Sequence, residues 1–204
     1  MADKSAPSEK MQISDTKTMA TPVYANPAAV GLGAFGATTL LLQFHNFGWA
    51  GSGVVLCLAF FFGGLAQFIA GMQEFKTGNN FGYAAFVTYG AFWIALALIL
   101  LVKNMNLFTI TDKDIGYFLV IFTILTLIYF IGAMRQTTAL SIVFLTLFIG
   151  YVLLDIFFLG GAHGWLTAAA VDLTICALSA LYLMAHVALT PLKINIPAGE
   201  PWMK

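Results

Sequence analysis

Apolar residues fill six stretches of the chain almost without interruption, at about 27–46, 51–73, 82–102, 115–134, 138–159 and 164–189. Each approaches the roughly 20 helical residues needed to cross a bilayer core of about 30 Å. A membrane β-barrel would instead show alternating segments of about ten residues. The continuous runs exclude that pattern. The breaks between runs are short and carry turn-forming residues: 45–51, 74–82, 135–139 and 160–164, with 103–114 the longest. The pattern predicts an all-α integral membrane protein, a six-transmembrane-helix bundle over 23–190. A disordered tail, 1–22, with no signal-peptide pattern, precedes it, and a short C-terminal tail, 191–204, follows.

Six spans place both ends of the chain on one side. Lys4, Lys10, Lys17, Lys76, Arg135, Lys193 and Lys204 fall on that side; Lys103 and Lys113 fall on the other. The excess of Lys and Arg marks the cytoplasmic side, so both termini are predicted to be cytoplasmic, with the bundle in the cell membrane. Composition agrees. The chain is 60% hydrophobic and 9% charged, where soluble domains carry about 25% charged residues. The formal net charge is zero, so nothing suggests nucleic acid as a partner. Cys57 and Cys176 lie inside apolar runs and read as packing residues, not as a disulfide or metal site. No paired His set, Cys cluster or nucleophile–base spacing suggests an enzyme or a cofactor.

Inside the spans, small residues recur at four-residue spacing. Ala29, Gly33 and Ala37 form one row, and Ala59, Gly63, Gln67 and Gly71 another. Such rows let helix backbones approach where lipid offers no hydrophobic drive. Gln67 breaks its row, and a mid-membrane amide needs a partner or water. Aromatics cluster on the third span, where Phe86, Tyr89 and Trp93 share a face with Phe92 beside it. Phe144, Leu147, Tyr151 and Asp155 form a row on the fifth. Stripes of this kind serve as bundle core or as an apolar constriction of a pore. Asp172 lies well inside the last span, followed on nearly the same face by Cys176, Ser179 and His186. This stripe is either a polar or proton path or one interhelical hydrogen bond that fixes packing. Asp155 is expected near the outer end. His45 and His163 are expected as solvated residues at outer helix ends.

The first span opens with Asn26-Pro27. Asn is a good N-cap and Pro fits the first helical turn. The same geometry aims free backbone N–H groups at the cytoplasmic side, where a carboxylate-sized anion could dock.

These residues also resemble a known family. "NPAAVGLGAFGATT", "HN" and "FFGGLAQFIAGMQEFKTGNNFGYAAFVTYGAFW" are similar, in order and spacing, to motifs of the acetate uptake transporter family, the succinate–acetate permeases of bacteria, archaea and fungi. The match runs over about 24–93 and loosens from there to about 190. The family's first motif usually reads N-P-A-P-L-G-L; here Ala29 and Val30 replace Pro and Leu. The resemblance implies a pore within each six-helix protomer, assembly into a homohexamer, and passage of acetate and related small carboxylates, succinate among them. It implies an apolar girdle at Phe35, Tyr89 and Leu147. Asn26, Pro27, Thr38, Gln67 and Glu74 stand as candidate substrate-binding residues, and Asp172 and His186 as a candidate polar or proton path. Neither Asp155 nor Asp172 has a counterpart in the family pattern.

The reading is a channel or transporter for small monocarboxylates, possible proton coupling included. A non-transporting membrane scaffold or sensor would use the same packing motifs. An aquaporin-like channel would need two Asn-Pro-Ala motifs facing each other; this chain has one, and "NIPA" at 195–198 falls outside the spans.

Overall fold

The structure, a computed structural model, describes residues 25–204. The expected tail at 1–22 lies outside the described residues. Among the described residues six helices are long and apolar enough to cross a membrane: α1 Ala28–Asn46, α2 Ser52–Thr77, α3 Asn80–Asn104, α4 Asp112–Ala133, α5 Thr138–Phe158 and α6 Gly164–Leu192. The chain is an all-helical multi-pass membrane protein.

Local chemistry sets the ends of these helices. Thr111 and Asp114 form a capping box, with Asp114 N donating to Thr111 Oγ1 and Thr111 N to Asp114 Oδ2. The box starts α4 at Asp112, three residues ahead of the apolar run. Helix α2 ends on Gly78, whose φ of 78° is the left-handed cap that favours glycine. This helix runs one turn past the expected 73, because Glu74 stays helical and buried.

Backbone contacts join α1 to α2, α2 to α3, α4 to α5, α5 to α6 and α6 back to α1, and α3 meets α4 through side chains, which closes the helices into a ring. Two kinds of seam hold the ring. Along α1–α6 and α2–α3 small residues bring backbones together. A Cβ on Gly36 would lie 3.0 Å from the Ala177 carbonyl oxygen; one on Gly90 would lie 2.7 Å from the Phe68 nitrogen, and one on Gly71 2.7 Å from the Val87 nitrogen. Between α3 and α4 aromatic rings fill the gap instead: Phe92 stacks on Phe118 at 5.5 Å and meets Phe122 edge-on at 4.8 Å.

The middle of α2, Ala59–Ala66, is a π-helix. A row of residues four apart drifts about 40° per step at 3.6 residues per turn. The wider i→i+5 turns offset this drift. Ala59, Gly63, Gln67 and Gly71 therefore all stay buried, and Gln67 keeps facing the ring's interior.

The segment after α6 does not hang free. Residues 193–203 fold back over the cytoplasmic ends of α4, α5 and α6. Ala139 N donates to the Ala198 carbonyl at 2.8 Å, and Met203 N to the Met134 carbonyl at 2.9 Å. Trp202 meets Phe130 edge-on.

Candidate functional site

Inside the ring lies a cavity of about 240 Å³. Its mouth is on the side of the chain ends. Three helices start there, α1, α3 and α5, and each brings a residue at its start to the cavity wall: Asn79 and Thr137, the N-caps of α3 and α5, and Asn26, which stands one residue before α1's N-cap, because Pro27 and not the expected Asn26 takes that position. Each is engaged with its own helix. Asn26 Oδ1 accepts from Ala28 N at 2.9 Å, Asn79 Oδ1 from Gly82 N at 3.1 Å, and Thr137 Oγ1 from Leu140 N at 3.2 Å. Three helix N-termini, each with partial positive charge, thus converge on one opening. Gln136 and His186 complete the polar rim. Among the described residues the lining holds no Asp, Glu, Lys or Arg. The mouth attracts anions through backbone dipoles and neutral donors, with no fixed charge to hold an ion tightly or repel it.

Deeper in, the wall turns apolar. Phe35, Tyr89, Phe144 and Leu147 line the far end, with Gln67 among them. Tyr89 and Leu147 each stand nine positions from the start of their helix, about 14 Å deep at 1.5 Å per residue. The Phe35 and Tyr89 rings meet edge to face, centroids 5.8 Å apart, which is van der Waals contact. Tyr89 also touches Phe144, at 6.1 Å, and Tyr129, at 5.9 Å. These ring contacts bound the cavity at its inner end.

Tyr89 is clamped in place. Thr126 Oγ1 donates to the Phe122 carbonyl at 2.6 Å and lies 2.7 Å from Tyr89 Oη, which therefore donates to it. The neighbouring pair, Thr88 with Tyr129, repeats the link between α3 and α4 at 2.9 Å. The buried hydroxyl of Tyr89 is thereby satisfied. Gln67 is different: it is buried, and its Oε1 has no partner among the described residues. Gln67 lines the cavity, and a buried amide oxygen without a partner is a costly arrangement that calls for one.

The structure thus gathers Asn26, Gln67, Phe35, Tyr89, Leu147 and His186 around one cavity. The other sequence candidates do not line it. Pro27 lies on the outer side of α1, beside Ile69 and Gln73 of α2. Thr38 is buried against Gly63, where a Cβ would come within 2.6 Å of its hydroxyl. Glu74 stands behind Gly82, next to Asn79, and Thr77 Oγ1 donates to it at 3.3 Å. Asp172 faces Gly150 of α5, and the polar stripe of α6 divides there: Cys176 Sγ bonds the Val143 carbonyl, and only His186 reaches the cavity. Asp155 accepts from Thr123 Oγ1 at 2.6 Å, tying α5 to α4. His45 Nδ1 lies 2.9 Å from the Ala50 carbonyl, and His163 precedes α6, edge-on to Phe157.

Sequence reasoning missed Asn79, Gln136 and Thr137 at the mouth, and Thr126 behind the girdle. The signal for the caps was present: Asn79 and Thr137 each stand two residues before the first apolar residue of their span.

A profile of the GPR1/FUN34/yaaH family matches residues 9–198. The chain is 39% identical over 161 residues to the "Succinate-acetate/proton symporter SatP" of Escherichia coli K12, covering 78% of this chain and 86% of that one. It is 36% identical over 153 residues to "Acetate permease A" of Emericella nidulans, covering 69% of this chain and 51% of the permease. The solved "Structure of the bacterial acetate channel SatP" superposes with a TM-score of 0.83 at 36% identity, over 87% of this chain and all of that one.

Proposed function

The chain belongs to the GPR1/FUN34/yaaH family, and from that premise we propose that it conducts acetate and related small monocarboxylates across the cell membrane through the cavity inside each protomer. The observation that carries the reading is the wall of that cavity. Three helix N-termini converge on a mouth without fixed charge, and the opposite end is an aromatic and aliphatic pinch. A carboxylate head needs donors at the mouth, and a methyl group needs an apolar throat. Relatives named for succinate–acetate transport, acetate permeation and an acetate channel support this substrate class.

Asn26 and the α1 N-terminus, with Asn79, Gln136 and Thr137, receive the head group. Gln67 hands it toward the girdle of Phe35, Tyr89 and Leu147. Pro27 presets the first turn of α1. Thr38 and Glu74 act from behind the wall, Thr38 by seating α2 at Gly63 and Glu74 by packing against Asn79. Taking a bare carboxylate through the girdle is costly, so a proton travels with it, and the cytoplasmic membrane supplies the proton gradient. The relatives carry both names, proton symporter and channel. The protein is a transport protein, not an enzyme. Its apolar outer face, including Phe61, Tyr117, Ile121 and Ile128, meets lipid and sister protomers in a homohexamer. Labelled-acetate uptake into proteoliposomes, with succinate and formate as competitors and pH varied on each side, tests the reading. Uptake no faster than into empty liposomes would favour a scaffold or sensor.

A further inference from the structure

Every polar group on the cavity wall has been given a part except His186. It sits on the last turns of α6, and its ring lines the cavity. Its Nδ1 is bonded to the backbone carbonyl of Ile196, a residue that is not part of the cavity wall. A carbonyl only accepts, so Nδ1 carries the proton, and Nε2 is left without one while the ring is neutral. The carbonyl belongs to the segment that folds back after α6, and that segment is fastened at four further points. Tyr182 Oη donates to the Pro197 carbonyl at 2.6 Å, Ala139 N to Ala198 at 2.8 Å, Thr138 Oγ1 to Glu200 at 2.6 Å and Met203 N to Met134 at 2.9 Å. Ala139 N is one of the first-turn donors of α5, which a helix cannot satisfy itself. Gly199 makes the bend possible. Its φ is +76°, and a Cβ there would fall 2.6 Å from Thr138 Cβ.

We infer that residues 193–203 are a positioning strap that fixes the tautomer of His186, so that Nε2 faces the cavity as an acceptor for the acid proton of a protonated carboxylic acid. The inference rests on the proposed function for the identity of the ligand. The tautomer and the strap stand without it. His186 is then a specificity residue for the acid form of the substrate, and Ile196 and Gly199 act through it. Asn26, Asn79, Gln136 and Thr137 recognise the carboxylate through donors; His186 adds the one ring acceptor on the wall suited to an O–H.

Two readouts on the full chain test this. The first is nitrogen-15 NMR of the imidazoles, with the His186 signals identified by their loss in His186→Asn. The Nδ1–H tautomer is expected in the wild type. Loss of that fixed tautomer is expected in Gly199→Ala and in Tyr182→Phe, which lacks the hydroxyl that donates to the Pro197 carbonyl. An Nε2–H tautomer in the wild type, or one unchanged in both strap variants, overturns the inference. The second readout is acetate uptake into proteoliposomes. His186→Asn keeps a donor for the Ile196 carbonyl and removes Nε2. It should raise KM about fivefold, the effect of one neutral hydrogen bond, with a smaller effect on kcat. Gly199→Ala should raise KM similarly in the wild type and add nothing in His186→Asn. Equal effects in both backgrounds, or an unchanged KM in His186→Asn, overturn the assignment of His186. A wild-type protein that moves no acetate overturns the proposed function and the named ligand, and the NMR result then decides the strap alone.

Discussion

Phe35→Ala is the perturbation that bears most directly on the girdle. Phe35 is buried, and its ring seals the cavity against Tyr89 at a centroid distance of 5.8 Å. An aromatic pair of this kind contributes about 0.5–1.5 kcal/mol beyond area burial. A solute that must part the rings meets that term in its barrier, a factor of about 2–10 in rate. Removing one ring should therefore raise acetate flux by about that factor. Succinate must hold the rings apart over a greater length, so its flux should rise more, and the succinate-to-acetate ratio should increase. Thr126 still holds Tyr89 through its hydroxyl, so the rest of the girdle keeps its shape. The cost in stability is about 3–5 kcal/mol for a buried Phe→Ala; Phe35→Leu, which leaves less of a void, controls for it. The assay is paired uptake of labelled acetate and succinate into proteoliposomes, with oligomer size checked by sedimentation. An unchanged ratio in a normally assembled Phe35→Ala protein would refute the reasoning.

Three further outcomes are expected. Gln67→Leu removes the unpartnered amide oxygen from the wall and should raise KM for acetate about fivefold, as for one lost hydrogen bond, while the helical circular dichroism signal is kept; an unchanged KM would take Gln67 off the path. Gly90→Ala forces a methyl to within 2.7 Å of the Phe68 backbone nitrogen, an overpacking that should cost about 1–3 kcal/mol in detergent-monitored thermal unfolding, where a Tm equal to wild type would contradict the close α2–α3 crossing. Flux at a fixed total acetate concentration should rise as external pH falls, because the protonated acid avoids the desolvation cost of a bare carboxylate at the girdle; a flat profile would exclude passage with a proton.

Hydropathy alone located the six spans because a bilayer demands long uninterrupted apolar helices. Where ends were misjudged, local chemistry had overridden apolarity. The Thr111–Asp114 box starts α4 inside a charged run, and Glu74 remains in α2 because the helix continues to the Gly78 cap. The girdle was legible only through the family motifs. Periodicity alone could not separate Phe35 or Leu147 from any other core residue. The converging caps were half legible: Asn26 was noticed for its proline, while Asn79 and Thr137 passed as turn residues. That three helix starts share one cavity is a property of the closed ring, which pattern along the chain does not encode. The Thr126 clamp pairs residues 37 positions apart and left no local trace. The strap at 193–203 falls within what the sequence reads only as a short C-terminal tail, 191–204. Its order comes from backbone bonds to α4 and α5 that no local propensity reports.

The central claim is that acetate passes through the protomer at the pinch formed by Phe35, Tyr89 and Leu147. Site-directed blockade tests it most directly. Leu147→Cys, in a Cys57→Ser background, is reconstituted, and labelled-acetate uptake is measured before and after a methanethiosulfonate reagent, with modification followed by mass. The account predicts that modification abolishes uptake and that a reducing agent restores it. Full modification with uptake unchanged, or a thiol that stays unmodified while acetate flows, would contradict it.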